Sequence, residues 1–346
     1  DVFDEVNVGT LTYIGCKSLD SNKDIKILEI KDKIDFYNFF NAKKELIPVH
    51  KEFFQSDQWC FQTNEILSLK KKIGSCGTEF LKLPDLKINR GITTGANNVF
   101  IIEESRRNEL IQKDPIYNEI LVPILRGADI KRWIVNPPKM YIIYSYTGID
   151  IRKYDLIYKY LAKNKEILTQ VYEAKNKQKK WYELRACSYY ESFSKEKLIW
   201  TRLSARNSFA ISVNGEFSVD STSFATGENL KYYCCILNSK LILFFFKLGS
   251  VIWGPEGIKW FGDYFDSLPI IPPNSNTITL FNNLYDKIVN SLSNKDEETL
   301  NLLVYKLYRI NYNECKIIDP EIEELISRED YEKATIEELA EWEFKK

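Results

Sequence analysis

The sequence predicts an α/β chain of the mixed α+β kind: a β-rich central region from about residue 75 to 272, flanking helices, and a helical C-terminal segment. Three observations carry this expectation. Between Lys87 and Val219, short apolar runs alternate with turn residues, Asn214-Gly215 among them, and that texture belongs to strands. From Leu230 to Leu248, Tyr233, Leu237, Leu241, Phe244 and Leu248 fall on one side of a helix. After Pro269, Pro272 and Pro273 the pattern is helical to the end, with Leu300, Leu303, Val304 and Leu307 as an apolar stripe.

In chain order, Val6–Ile14 and Ile25–Ile30 read as two strands joined by the polar stretch Lys17–Asp24. Two strands alone are marginal, so this hairpin needs another sheet to pack on. Residues 34–47 and 64–73 read as short helices; in the second, Ile66, Leu69 and Ile73 recur at helical spacing and Gly74 acts as a stop. Ile88–Ile102 reads as strand, turn, strand, with Thr93–Asn98 as the turn. Met140–Tyr144, Lys197–Leu203, Phe209–Val213 and Phe217–Val219 are further strands, and Asn214-Gly215 predicts a tight hairpin between the last two.

Hydrophobic residues make up 44% of the 346 and aromatics 14%, enough for a sizeable core. The longest apolar run, Leu241–Phe246, lies between Lys240 and Lys247 and is too short to cross a bilayer. There is no signal-peptide pattern, so no membrane partner and a cytoplasmic location are expected. Residue 1 is Asp, which reads as a piece of a longer polypeptide. Seven cysteines, an odd number without any Cys-x-x-Cys pair, read as reduced and mostly buried. A single histidine, His50, argues against a zinc site of His and Cys.

Net charge is −1, but it is unevenly spread. Residues 151–206 hold 14 Lys/Arg against 6 Asp/Glu, whereas residues 296–346 hold 7 against 15. A basic middle and an acidic tail imply either surfaces for different partners or simply solvated faces.

Several phrases together resemble one family. Gly91-Ile92-Thr93-Thr94-Gly95-Ala96-Asn97-Asn98-Val99-Phe100-Ile101-Ile102 resembles the segment that opens the TaqI-like C-terminal specificity domain. Ile124–Trp133 is similar to that family's L-R-G-x-D-I-K-R stretch, Trp181–Arg185 to its W-Y-x-L-R, Ile236–Leu241 to its L-N-S-K-L helix, and Leu268–Ile270 to its closing L-P-I. Leu303–Tyr308 with Glu314 resembles the segment that follows, and Phe3–Thr10 the last strand pair of the preceding methyltransferase domain. The order and spacing agree from residue 3 to about 320.

The resemblance implies the specificity part of a type IIG restriction-modification enzyme, or of a related adenine-N6 DNA methyltransferase. Its partners would be double-stranded DNA and the methyltransferase domain of the same polypeptide. S-adenosylmethionine would serve the parent enzyme, and Mg the parent if it cleaves DNA, with no cofactor in this chain. Residues 1–74 would be a remnant hairpin of the methyltransferase domain plus a helical linker, 75–272 the target-recognition domain and 273–346 the helical segment. The family's catalytic Asn/Asp-Pro-Pro-aromatic motif finds only Asn136-Pro137-Pro138-Lys139 here, without a Gly-rich loop upstream, so it reads as a loop and no catalytic residue is expected. Pro84-Asp85 with Asp129-Ile130-Lys131 has nuclease-like composition, which chance supplies in a chain with 28% charged residues. The alternatives are a protein-interaction module and a stand-alone specificity subunit of a defence system.

DNA reading needs cations for phosphates and forked side chains for base edges. Candidates from the family stretch are Arg126, Lys131 and Arg132, otherwise surface charges of a connection. Lys179, Lys180, Trp181 and Tyr182 put cations beside aromatics, as in a nucleic-acid groove or at a solvated helix end. Arg185, Arg202 and Arg206 suit bidentate guanine contacts. Asn97 and Asn98 suit adenine, or the left-handed geometry of a turn. Trp253, Lys259 and Trp260 mark an aromatic, glycine-bearing loop that either presses on DNA or belongs to the core.

Overall fold

The computed structural model describes residues 25–27, 47–49, 62–250, 252–253 and 257–344. Ile25–Ile27 forms an antiparallel pair with Ile47–Val49. The first predicted strand, Val6–Ile14, lies outside the described residues, as does the helix predicted over 34–47 except for Ile47, which opens a strand. The next helix, Asn64–Gly74, begins where Thr63 accepts a hydrogen bond from the Ile66 amide and buries Leu69 and Ile73. Gly74 is its last residue and Ser75 caps it.

Two four-stranded sheets form the centre. The first runs Phe209–Ser212, Lys197–Thr201, Thr222–Gly227, Leu86–Arg90 and is antiparallel throughout. The second runs Phe217–Ser218, Leu121–Leu125, Met140–Ile143, Ile101–Glu103, with its first pair parallel. The predicted Asn214-Gly215 turn exists, and Gly215 takes φ +74°. It does not close a hairpin, however: Phe209–Ser212 pairs in one sheet and Phe217–Ser218 in the other. The turn carries the chain between sheets, because Phe217 stacks on Phe193 (4.6 Å between ring centroids) in the second core instead of folding back.

Two cores result. Ile92, Phe100, Leu121, Ile142, Leu161, Phe193 and Phe224 belong to one. The other joins Leu198, Trp200 and Phe209 to the Leu230–Asn238 helix and the C-terminal helices. The single helix predicted from 230 to 248 is two, Leu230–Asn238 and Lys240–Lys247. Ser239 breaks it with ψ 154°, and its hydroxyl accepts from the Ile242 amide as cap of the second helix. Beyond Pro273, Ser275–Ser291 starts on a reciprocal Asn274–Thr277 cap, and Asn294–Leu307 buries Leu300, Leu303 and Val304 as the stripe predicts. The cysteines at 76, 187, 234, 235 and 315 are free thiols, the last three buried. Among the described residues, no helix is long and apolar enough to cross a membrane.

One buried charge stands out in the first sheet. Lys197 has no exposed surface; its Nζ donates to the Phe193 carbonyl at 2.8 Å. Burial pulls its pKa down to about 8, against the partial support of Glu216. The unfolded lysine keeps its proton up to about pH 10.5. Between these values the unfolded chain binds more protons, so this group's contribution makes stability rise with pH from about 8 to 10.5. The gain is of the order of 3 kcal/mol for such a shift. Buried tyrosines and thiols oppose it at the upper end. The test is therefore the difference between the parent and Lys197→Met in chemical denaturation from pH 8 to 10. The gap between their pH slopes should be visible; parallel curves would rule the lysine out.

Candidate nucleic-acid interface

At one end of the first sheet, four segments meet around the turn at Val219–Thr222. The end of the Leu86–Arg90 strand comes first: the Arg90 Nε donates to the Asp220 carbonyl at 3.1 Å, and its Nη2 lies 3.6 Å from the Asp220 carboxylate. Arg202 approaches from the other side, its Nη1 donating to the same carbonyl at 3.4 Å. The loop after Leu125 is the third segment. It is tied by the Val219 amide to the Leu125 carbonyl, and Gly127 faces Thr201 and Ser221. The fourth is Gly257–Lys259 with Phe261, paired against Leu203–Ser204.

Arg202 lies on the Phe261 ring, 3.8 Å from its centroid, and Lys259 approaches that ring at 6.0 Å. Burial, with the Arg90 charge beside it, lowers the Arg202 pKa, though Asp220 partly offsets this. Among the described residues, the Arg202 Nε is buried and has no hydrogen-bond partner. Arg126 is exposed nearby, its loop pinned by its own amide donating to Asp129 at 2.7 Å. This end therefore gathers Arg90, Arg126, Arg202 and Lys259, with the carboxylates of Asp220 and Asp129 among them.

The surface continues along Gly91–Phe100. Ala96 opens the short helix Asn97–Phe100, and Gly95, at φ +79°, packs on Val171. Asn97 and Asn98 are exposed at the helix start with ordinary backbone, so the left-handed position expected of one of them belongs to Gly95. The Thr94 hydroxyl donates to the Asn97 side chain at 2.5 Å.

Against this loop lies the basic run. Lys179 donates to the Glu183 carbonyl and sits 6.0 Å from the Phe100 ring centroid; burial lowers its pKa although Glu173 and Glu183 oppose the shift. Buried Glu183 also accepts from the amides of Gly148 and Lys180. Arg185 pairs with Glu173. Trp181 and Tyr182 are half-buried; Lys165 lies over Trp181 and Lys180 over Tyr182. Lys175, Lys177 and Lys180 are exposed.

Several candidates sit elsewhere. Trp260 is 1% exposed, stacked on Phe246 at 4.4 Å, and donates its indole hydrogen to the Ser204 carbonyl, so it is a core residue without a face for DNA. Trp253 contributes backbone to a short strand; its side chain lies outside the described residues. Arg132 turns inward, donating to Glu297 through Nε and Nη2, with its Nη1 donating to Asn207 and Asn238. Lys131 is exposed on the same loop, and exposed Arg206 is close enough to help lower the Glu297 pKa.

The nuclease-like acids are also engaged. Asp85 accepts from the Tyr233 hydroxyl and from Asn229, while Asp129 closes its own loop. Asn136–Lys139 is a strand-to-strand loop ending in an exposed lysine, which does not fit a base-stacking pocket. Sequence reasoning missed Arg90 and Phe261. Their signal was adjacency: Arg90 precedes the Gly91–Asn98 phrase, and Phe261 follows Lys259-Trp260.

Residues 122–250 match the TaqI-like C-terminal specificity domain. No curated protein matches the chain. Among solved structures, the Type IIL restriction-modification enzyme MmeI in complex with DNA is similar at a TM-score of 0.53 and 12% identity, over 84% of this chain and 40% of that one. The type IIG restriction endonuclease BpuSI is similar at 0.45 and 14%, over 75% of this chain and 34% of its own. The chain thus spans less than half the length of either protein. The likeness to MmeI is one of fold.

Proposed function

From a chain whose residues 122–250 carry a TaqI-like C-terminal specificity domain, we propose sequence-specific recognition of double-stranded DNA as the specificity part of a type IIG restriction-modification protein. The carrying observation is that match together with the basic surface to which it contributes Arg126, Arg202 and Lys175–Arg185. Arg90, Arg126, Arg202 and Lys259 surround one turn, and the Gly91–Asn98 loop joins them to Lys175–Arg185. Exposed Arg126, Lys175, Lys177 and Lys180 suit phosphates; Arg202, Asn97 and Asn98 suit base edges.

In this reading, adenine-N6 methylation and the binding of S-adenosylmethionine belong to a methyltransferase domain outside this sequence. Magnesium belongs there too, or to a nuclease domain, if the parent cleaves. Asn136–Lys139, Asp85 and Asp129 do not fit either group, so no chemical step is assigned to this chain.

The test is a salt titration of duplex binding by fluorescence anisotropy. With about six phosphates neutralised, log K should fall with log salt at a slope of about −5, at roughly 0.9 per phosphate. A slope near zero would remove DNA from the list of partners.

A further inference from the structure

Arg202 differs from every other cation on this surface in how it is held. Its guanidinium carbon stands 3.8 Å from the Phe261 ring centroid, and its Nε is buried without an acceptor among the described residues. The side chain is half-buried, and of its Nη pair Nη1 leans on the Asp220 carbonyl at the long distance of 3.4 Å. Among the described residues it forms no ion pair, because the Asp220 carboxylate is engaged by Arg90 at 3.6 Å. Arg90 and Arg202 thus flank one carbonyl, and Arg90 takes the nearby negative charge.

A phosphate needs only a cation within reach, and a mobile lysine provides one. A guanine edge needs two donors in a fixed plane, aimed at O6 and N7. Stacking on an aromatic ring fixes that plane before the ligand arrives and lowers the ordering cost of binding. Phe261 is half-exposed at the end of Gly257–Lys259, and the Trp260 amide bonded to the Arg202 carbonyl holds the two segments in register.

We infer that the Asp220–Ser221 turn is a guanine-reading site in which Arg202 contacts the base, Phe261 is a positioning residue that fixes the plane of its fork, and Arg90 keeps the Asp220 carboxylate from capturing it. The inference rests on the DNA-recognition reading above and adds the base and the residues that read it.

The experiment is selection of bound duplexes from a random-sequence pool by the whole chain, followed by sequencing. The unsubstituted chain should enrich a motif containing a guanine. Arg202→Lys keeps the charge but not the fork, and should lose preference at that one position by about tenfold while the salt slope stays the same. Phe261→Leu should lose the same position and no other, and Phe261→Tyr should restore it. If Arg202→Lys keeps the guanine, the contact is to phosphate and the inference fails. If Phe261→Leu keeps the full motif, the positioning role fails, and Arg202→Lys decides the base contact independently of whether that variant folds well. If the unsubstituted chain enriches no motif, specific recognition itself is overturned, and the guanine site with it.

Discussion

Arg132→Ala is expected to lower the unfolding free energy by about 3 kcal/mol, a large share of the stability of a typical protein. The side chain is 11% exposed and points to the C-terminal helices. Its Nε and Nη2 donate to Glu297 at 3.0 and 2.7 Å, and its Nη1 reaches Asn207 and Asn238 at 3.3 Å. The Trp133 indole donates to the same carboxylate at 2.6 Å. Trp133 itself is held at φ 72°, a conformation unfavourable for a bulky residue, so its neighbours must over-determine it. Burial raises the Glu297 pKa, but the hydrogen bonds and charge of Arg132 outweigh it and leave the carboxyl below the ordinary 4.5.

Removing Arg132 takes the paired cation from that half-buried carboxylate, leaving it the Trp133 indole, and also takes a donor from the Asn207 and Asn238 oxygens. Guanidinium denaturation should show the loss, and Arg126→Ala, on an exposed side chain, should stay within about 0.5 kcal/mol of the parent. Because the folded pKa of Glu297 is depressed, its contribution is complete above about pH 4.5 and fades as pH falls below it. The gap between parent and variant should therefore narrow in acid. Equal midpoints for Arg132→Ala and Arg126→Ala at neutral pH would sink the assignment.

Gly91→Ala should be as damaging, at about 3 kcal/mol or more, for a steric reason. A Cβ at this position would stand 1.9 Å from the Val219 carbonyl oxygen and 2.7 Å from the Thr222 hydroxyl. The first obstacle is backbone, so no rotamer change relieves it. Strand and turn must part instead, straining the bond from the Gly91 amide to the Thr222 carbonyl and that from the Ile92 amide to the Ser218 carbonyl. Arg90, next in the chain, would lose its place beside Asp220. Gly148 supplies the control: its φ is +89° but nothing lies within 4 Å of a Cβ, so alanine there costs about 1 kcal/mol of backbone strain. Thermal melts of the two variants should differ clearly; equal melting temperatures would refute the clash.

The sequence disclosed some features and concealed others, for physical reasons. Met140–Ile143 and Lys197–Thr201 were legible because apolar, β-branched and aromatic residues crowd together there. Thr222–Gly227, a central strand, was not. Its Thr-Ser-Phe-Ala-Thr-Gly reads as polar, and it is buried by the strands on both sides. Leu121–Leu125 was hidden by Pro123, and the helix Glu104–Lys113 by its high charge. At the candidate interface, residue type pointed to Arg202, but only tertiary contact separates it from Arg132, which has the same charge and an inward role. Trp260 shows the same limit, since an aromatic in a glycine-bearing loop has one composition whether it faces core or solvent.

The position of Leu86–Arg90 at the edge of its sheet has a consequence for synthesis. Its strand neighbour is Thr222–Gly227, more than a hundred residues further on. At the roughly 5–20 residues per second of a bacterial or eukaryotic ribosome, that partner follows only after about 7 to 26 seconds. The Leu86–Arg90 segment therefore leaves the ribosome with its backbone donors and acceptors unmatched. Arg90, Arg202 and Asp220 cannot meet until Thr222–Gly227 has docked. The surface assigned to DNA is thus assembled late, and a nascent chain halted before residue 222 has no completed face with which to occupy a chromosome.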